Sequence, residues 1–438
     1  MLRSPSTSPS SPRIIHTIID ADPYVLPLIH AALSHQLPKD SYKYITSSTQ
    51  LPTSDERLLQ ITPYESLDFT HHHSHSTTSL ANSYIIRKAL IRKHYLHNTI
   101  TSWWSKHPDD RNLKGHVPLT VAFELDYAEF LDEALLECWE LHESFAEAQR
   151  EWWVLKPGMS DQGQGIKLFS SEEELKAIFE AWEQQNCSSD DEGDTETPPT
   201  INGQNVIGAG TMTSQLRHFV AQRYIQQPLL LPAHGNRKFH LRSYVLAVGA
   251  LRVYVYRGML ALFAPLPYSA PDNVASNTTS TDLIYSIDDR VHLTNTCLQH
   301  DSPEGSVVSF WDLQASSKLP GNWKESVFDQ ICAATGTLFE AAAREQMIHF
   351  QTLENSFEIF GVDWMVDEVS TSWLLEVNAF PDFKQSGEGL KEVVQGLWEA
   401  VIGIAVRGFF GLTVKETEGA EEEQFGVKKV LDVDLGRR

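Results

Sequence analysis

Residues 360–367 read Phe-Gly-Val-Asp-Trp-Met-Val-Asp, and after a short turn residues 373–381 read Trp-Leu-Leu-Glu-Val-Asn-Ala-Phe-Pro. Acids in the middle of apolar runs are costly to bury without a partner. The two runs predict strands over 358–366 and 373–377, paired as an antiparallel hairpin. Residues two apart on a strand share a face, so Asp363 on one strand would meet Glu376 and Asn378 on the next. Three hard oxygen donors with room for water and phosphate are what Mg²⁺ takes in phosphoryl-transfer sites. The plainer alternative is that Asp and Asn only cap turns of the hairpin.

A second motif, Lys156-Pro-Gly-Met-Ser-Asp-Gln-Gly-Gln-Gly-Ile166, follows the apolar run 152–155. Gly158, Gly163 and Gly165 free the backbone to approach phosphates, and Lys156 can place a charge on them. No Gly-Lys-Ser/Thr follows, so this is not a Walker loop, and alone it reads equally well as a flexible turn. In Arg237-Lys-Phe-His-Leu-Arg-Ser-Tyr244 the strand period puts Lys238, His240 and Arg242 on one face and Phe239 and Leu241 on the other. Arg257 ends the partner strand, and residues 291–296 supply Thr294 and Asn295 for polar contacts. A solvated surface sheet is the bland alternative for this segment.

Charge points the same way. The chain of 438 residues carries a net charge of -23, which argues against generic nucleic-acid binding. Yet residues 197–271 hold no acid, where composition alone would place about ten, and contain Arg217, Arg223, Arg237, Lys238, Arg242, Arg252 and Arg257. An acid-free, arginine-rich segment in an acidic protein suggests a polyanion site, with a nucleoside triphosphate as the obvious small candidate.

The elements that must position these residues belong to an α/β chain too long for one compact core. A Ser/Pro-rich tail over 1–13 reads as disordered. A strand over 14–19 and a helix over 23–34 open an N-terminal α/β domain over 14–110. A central domain over 111–236 carries the glycine-rich loop and a disordered acidic insertion at 187–211. A C-terminal domain over 237–412 holds the metal triad, and 413–438 reads as an acidic tail. Helical spacing is expected over 83–97, 126–149, 322–351 and 390–409. The cluster His71, His72, His73, His75 reads as solvated histidines in a loop. No membrane span or secretory signal is expected, and four scattered cysteines fit a reducing cytoplasm.

In this order the motifs resemble the tubulin-tyrosine ligase family, in a branch associated with fungal sequences, from about residue 83 to residue 397. The resemblance implies an ATP-grasp fold: N-terminal, central and C-terminal domains with mixed and antiparallel sheets flanked by helices. It implies that Arg87-Lys88-Ala89 supplies Lys88 towards ATP, that Lys156 binds phosphate, and that Gln222, Arg223, Tyr224 and Ile225 form the hinge that holds adenine. Lys238, Arg242, Arg257, Thr294 and Asn295 would line the ATP and acceptor site. Asp363, Glu376 and Asn378 would hold magnesium. One position departs: His240 stands where the family usually has Asp. Neutral imidazole can still hydrogen-bond a ribose hydroxyl but cannot copy the negative charge.

The chemistry implied is ATP-dependent ligation of an amine, such as tyrosine or glutamate, to a protein carboxylate, with tubulin the family's expected substrate. Glu376, Arg242 and Arg257 would be catalytic. The alternative readings are a nucleotide-binding or protein-interaction module without turnover, motivated by His240, and a kinase that stops at phosphorylation.

Overall fold

The computed structural model describes residues 15–53, 56–147, 150–159, 165–187, 200–201, 204–205, 217–272, 287–294, 306–314, 319–412 and 420–435. The expected N-terminal tail and most of the acidic insertion lie outside them. The N-terminal unit is a parallel sheet of order β2-β1-β3-β4, built from β1 (Ile15–Ile19), β2 (Tyr42–Tyr44), β3 (Leu58–Ile61) and β4 (Ser79–Ala81). Helix α1 (Leu26–Gln36) follows β1, with Pro27 in its first turn, where a missing N–H costs nothing. The histidine cluster is not a loop. Asp68 caps α2 (Phe69–Ser74) by accepting from the His71 amide, and buried His72 hydrogen-bonds Ser79 and Ser356 at 3.1 and 2.9 Å.

Two expected helices are broken. The 83–97 segment becomes α3 (Lys88–Ile91) and α4 (Lys93–Lys106), separated by Arg92 in an extended conformation. The 126–149 segment becomes α5 (Leu131–Ala134) and α6 (Trp139–Ala146). Glu129, Glu133 and Glu137 fall four residues apart, and like charges at that spacing oppose a continuous helix.

The central sheet is antiparallel, of order β5-β10-β6-β7. Its strands are β5 (Thr120–Glu124), β6 (Trp153–Pro157), β7 (Lys167–Phe169) and β10 (His218–Arg223), with α7 (Glu172–Cys187) after β7 and a small pair β8 (Thr200–Ile201) and β9 (Gln204–Asn205) between. Trp153, Leu155, Phe219 and Ala221 pack one face against the helices, which leaves Val154, Lys156 and Gln222 on the other.

The third sheet is organised by the twelve-residue β11 (Arg237–Val248). One of its edges pairs β12 (Arg252–Tyr256) and β13 (Leu260–Pro267); the other pairs β15 (Phe357–Val366), which pairs β16 (Ser372–Ala379). Helix α8 (Asp289–His292) and strand β14 (Val307–Ser309), which extends β13, precede helix α9 (Trp323–Glu345). Phe239, Leu241, Val245 and Ala247 of β11 share one core with α9, while Tyr244, Leu246 and Val248 share another with α1 and α10 (Lys391–Val401). The face bearing Lys238, His240 and Arg242 therefore turns apolar beyond Ser243. Residues 391–410 are apolar and long enough to cross a membrane by composition, but Val394, Leu397, Trp398, Val401 and Ile402 are buried in that second core.

The acidic-tail expectation is corrected in its last part. Helix α11 (Ala420–Phe425) and β17 (Val427–Asp432) return to the fold, and β17 pairs β12. The acids at 415–423 drew the reading away from the apolar Val427, Val430 and Leu431 that follow. Phe425 and Val427 are buried, and burying side chains of that size is worth about 1.5–3 kcal/mol each. Truncation after Leu412 is thus expected to cost roughly 3 kcal/mol or more, read as a fall in the urea midpoint. An unchanged midpoint would restore the tail reading.

Candidate active site

A cleft lies between the central sheet and the third sheet. β11 contributes Lys238 and His240, β15 contributes Asp363 and Met365, β16 contributes Glu376, and β6 and β10 contribute Val154, Lys156 and Gln222. The β15–β16 register places Asp363 opposite Glu376 and Gly361 opposite Asn378, with an irregularity between Asp363 and Trp364. Leu374 pairs Trp364 while Glu376 pairs Asp363, so Leu375 is an extra, bulged residue. Leu374 and Val377 both face the core, a spacing of three that only the bulge permits. It turns Glu376 to the cleft, with Asn378 on the same side of the strand behind it, and presents the Leu375 carbonyl, which accepts a 3.3 Å hydrogen bond from Lys156 Nζ.

Around this point the charges are tightly arranged. The Asn378 amide nitrogen donates to Asp363 Oδ2 at 3.2 Å and to Glu376 Oε1 at 3.3 Å, so the three residues converge, with Asn378 turning its nitrogen rather than its oxygen to the two carboxylates. Arg242 holds Asp363 through both carboxylate oxygens, its Nη2 at 3.0 Å from Oδ2. Burial opposes the arginine's charge, but Asp363 more than compensates and raises its pKa above the ordinary value. Burial alone would raise Glu376. Lys93, 3.4 Å from Oε2, together with Lys156, Asn378 and Arg242, instead lowers it to about 2.

Two buried lysines are less settled. Burial lowers Lys156 to about 8, against the raising effect of Glu376; its ammonium donates to Gln222 Oε1 at 2.6 Å. Burial and the charge on Lys156 lower Lys238 to about 7, with its ammonium 4.0 Å from the centre of the Tyr224 ring. Among the described residues neither has a carboxylate within ion-pair distance. His240 is buried, and burial lowers its pKa, so it is neutral at physiological pH. Its Nδ1 lies 2.6 Å from Thr294 Oγ1, while Nε2 has no hydrogen-bond partner among the described residues. The Tyr224 hydroxyl lies 2.9 Å from His292 Nδ1.

The cleft thus gathers Lys156, Gln222, Arg223, Tyr224, Ile225, Lys238, His240, Thr294, Asp363 and Glu376. Arg223 lies at its rim and pairs with Glu151; the amides of Arg223 and Tyr224 donate to the Leu119 and Trp152 carbonyls. Gly165 has a positive φ of 70°, the conformation glycine permits. Gly163 and Asn295 lie outside the described residues. Two expected residues are elsewhere. Lys88 is exposed at the start of α3, and Lys93, beyond the helix break, reaches Glu376 instead. Arg257 is exposed, pairs with Glu325 and stacks on Trp311 at 4.1 Å. It does not line the cleft.

The acid-free segment is likewise less of a polyanion site than composition implies. Arg217 pairs with Asp126 at 2.9 Å, Arg223 with Glu151 and Arg257 with Glu325, each acid arriving from another part of the chain. Also unforeseen is buried Glu358, 2.7 Å from Arg87 and accepting from the Tyr84 amide at 3.1 Å. It ties the segment before α3 to β15.

Residues 71–411 match the model of the tubulin-tyrosine ligase family. The chain belongs to this family. A protein of Schizosaccharomyces pombe named "probable tubulin–tyrosine ligase" is 42% identical over 402 residues, covering 90% of this chain and 92% of its own length. A "probable tubulin–tyrosine ligase" of Saccharomyces cerevisiae, Pby1, is 36% identical over 425 residues; 95% of this chain covers 55% of that protein. Among solved structures, the C-terminal domain of K. lactis Pby1, described as an ATP-grasp enzyme interacting with the mRNA decapping enzyme Dcp2, is similar with a TM-score of 0.67 and 33% identity. The match covers 96% of this chain and 99% of that domain, and the fold is that of an ATP-grasp protein.

The residues present fit a nucleotide. His240 Nε2, 3.8 Å from Asp363 Oδ1 and without a hydrogen bond among the described residues, is an open hydrogen-bonding site, and two lysines weakened by burial are positions that phosphates would stabilise. Among the described residues no group of three or more His, Cys, Asp or Glu is placed to hold a metal ion by itself. Two carboxylates and an amide are nonetheless donors suited to Mg²⁺ when phosphate and water complete its shell.

An anion beside Lys238 and Lys156 favours their charged forms, so nucleotide binding at pH 8 should take up protons, and affinity should fall as pH rises through about 7 to 8. Calorimetry in two buffers of different ionisation enthalpy reads this directly, and proton release would contradict it. Without ligand the folded protein binds fewer protons than the unfolded chain from about pH 7 towards 10.5, so these groups add stability as pH rises through that window.

Proposed function

We propose that this chain is an ATP- and Mg²⁺-dependent carboxylate–amine ligase, adding an amino acid such as tyrosine or glutamate to a carboxylate of a protein, tubulin or another. The observation that carries this reading is the convergence of Asp363, Glu376 and Asn378 beside a cleft that Asp363, Glu376 and two buried lysines, Lys156 and Lys238, line together. A carboxylate is a poor electrophile at neutral pH. Transfer of the terminal phosphoryl group of ATP to a carboxylate oxygen, with ADP leaving, makes an acyl phosphate. An amine nitrogen then attacks the acyl carbon, phosphate departs with that oxygen, and the nitrogen loses a proton.

In this scheme Lys156 and Lys238 hold phosphate oxygens and neutralise their charge. Arg242 fixes the Asp363 carboxylate and adds positive charge beside it. Asp363, Glu376 and Asn378 would hold Mg²⁺, which when bound supplies Lewis-acid stabilisation of phosphate oxygens. Val154, Ile166, Leu293 and Met365 give the apolar walls of the cleft, beside the 222–225 strand end, and support binding of a planar base.

Similarity to the K. lactis domain extends the protein-substrate candidates to mRNA-decapping proteins, alongside tubulin. The neutral His240, in place of the family's usual Asp, supports a second reading: a nucleotide-binding module without turnover.

Glu376→Gln removes one metal-binding charge without changing size. Incubation with Mg²⁺-ATP, candidate amino acids and protein acceptors, read by mass spectrometry, should show a gain of one amino-acid residue in the wild type. The gain should fall on the order of 100-fold or more in the variant. Full ligation by Glu376→Gln would overturn the assignment, and ATP binding without ligation across all acceptors would favour the second reading.

A further inference from the structure

A second, open cavity adjoins the first cleft at Lys156. Lys156, Gln222 and Leu375 line both, so the cavities meet at the residues that border the phosphate end. Helix α4 forms one wall through Leu96, Ile100 and Trp104, β5 and β10 form the floor, and the α5–α6 corner forms the outer rim. Its charge is polarised. Lys93 and Lys156 stand at the inner end, while Glu133, Glu137 and Glu140 line the rim. Those three acids are exposed, and none has an ion-pair partner among the described residues. Between the ends, the Trp104 indole N–H is buried without a hydrogen-bond partner among the described residues. Leu136, at the rim, is 69% exposed, and Trp139 beside it is 71% exposed.

We propose that this cavity is the acceptor groove and that it selects a polypeptide segment with basic side chains near its reacting carboxylate. This rests on the ligase reading above. The carboxylate lies at the Lys93 and Lys156 end, where it faces the phosphate site. Apolar side chains of the segment cover Ile100, Trp104 and Leu136, and a backbone carbonyl accepts from the Trp104 indole. Lysine or arginine side chains of the segment meet Glu133, Glu137 and Glu140. An acidic tail would bring its charges against that rim and be repelled, a discrimination by like charge as well as by attraction.

The test is equilibrium binding, by fluorescence anisotropy, of three labelled peptides equal in length and apolar content but basic, neutral or acidic. They are titrated against the full chain with and without an ATP analogue. The basic peptide should bind at least on the order of tenfold tighter than the acidic one at low salt, with the preference shrinking as salt is added. In the triple variant Glu133→Lys, Glu137→Lys, Glu140→Lys the preference should invert; these side chains are exposed, and an unchanged thermal midpoint confirms folding. Equal or tighter binding of the acidic peptide, or an unchanged preference in the variant, would overturn the proposal. Because binding requires no turnover, the two readings fail separately. Ligation onto an acidic tail with no basic preference removes the groove assignment and leaves the ligase. Basic-peptide binding with no ligation of any acceptor does the reverse.

Discussion

Arg242 and Asp363 face one another in register across β11 and β15, buried and joined through both carboxylate oxygens. Burying two charges is expensive, and breaking such a pair by removing one partner typically costs about 3–5 kcal/mol. The cost is what makes the pair informative. A one-residue slip of β11 against β15 would turn every side chain to the opposite face, sending Lys238 and His240 into the core with α9. The pair opposes that slip, and the positions of the lysines relative to the acids of β16 follow from it.

Built on that register, the site is a set of charges held short of neutralisation. Asp363 and Glu376 share one amide from Asn378, and the lysines opposite them are weakened as bases by burial. Under the proposed function, a phosphate chain and a divalent cation would complete both halves at once. This is electrostatic preorganisation: the donors are placed by strands and held by packing before any ligand arrives. The apolar far half of β11, with α1 and α10 over it, anchors the strand that carries the charges.

Much of this was legible in the residues themselves. Strand alternation placed Lys238, His240 and Arg242 on one face, and the hairpin motif brought Asp363, Glu376 and Asn378 together. The bulge at Leu375 was not legible, because it is a backbone irregularity inside an otherwise apolar strand. Arg257 was misplaced for another reason: local sequence shows a base without nearby acids, while Glu325 comes from helix α9 nearly seventy residues on. Lys88 lies exposed at the start of α3, and the break at Arg92, which local spacing did not reveal, brings Lys93 to Glu376. The closing strand β17 was hidden behind a run of acids.

The proposed function requires that the bulged hairpin and the charged half of β11 together form one Mg²⁺-nucleotide site. A crystal structure of the full chain with a non-hydrolysable ATP analogue and Mg²⁺ tests it most directly. Phosphate density between Lys156 and Lys238, with a metal bound by Asp363, Glu376 and Asn378 and the ribose against His240, is the expected result. An analogue seated elsewhere, or a metal held without Glu376, would contradict it.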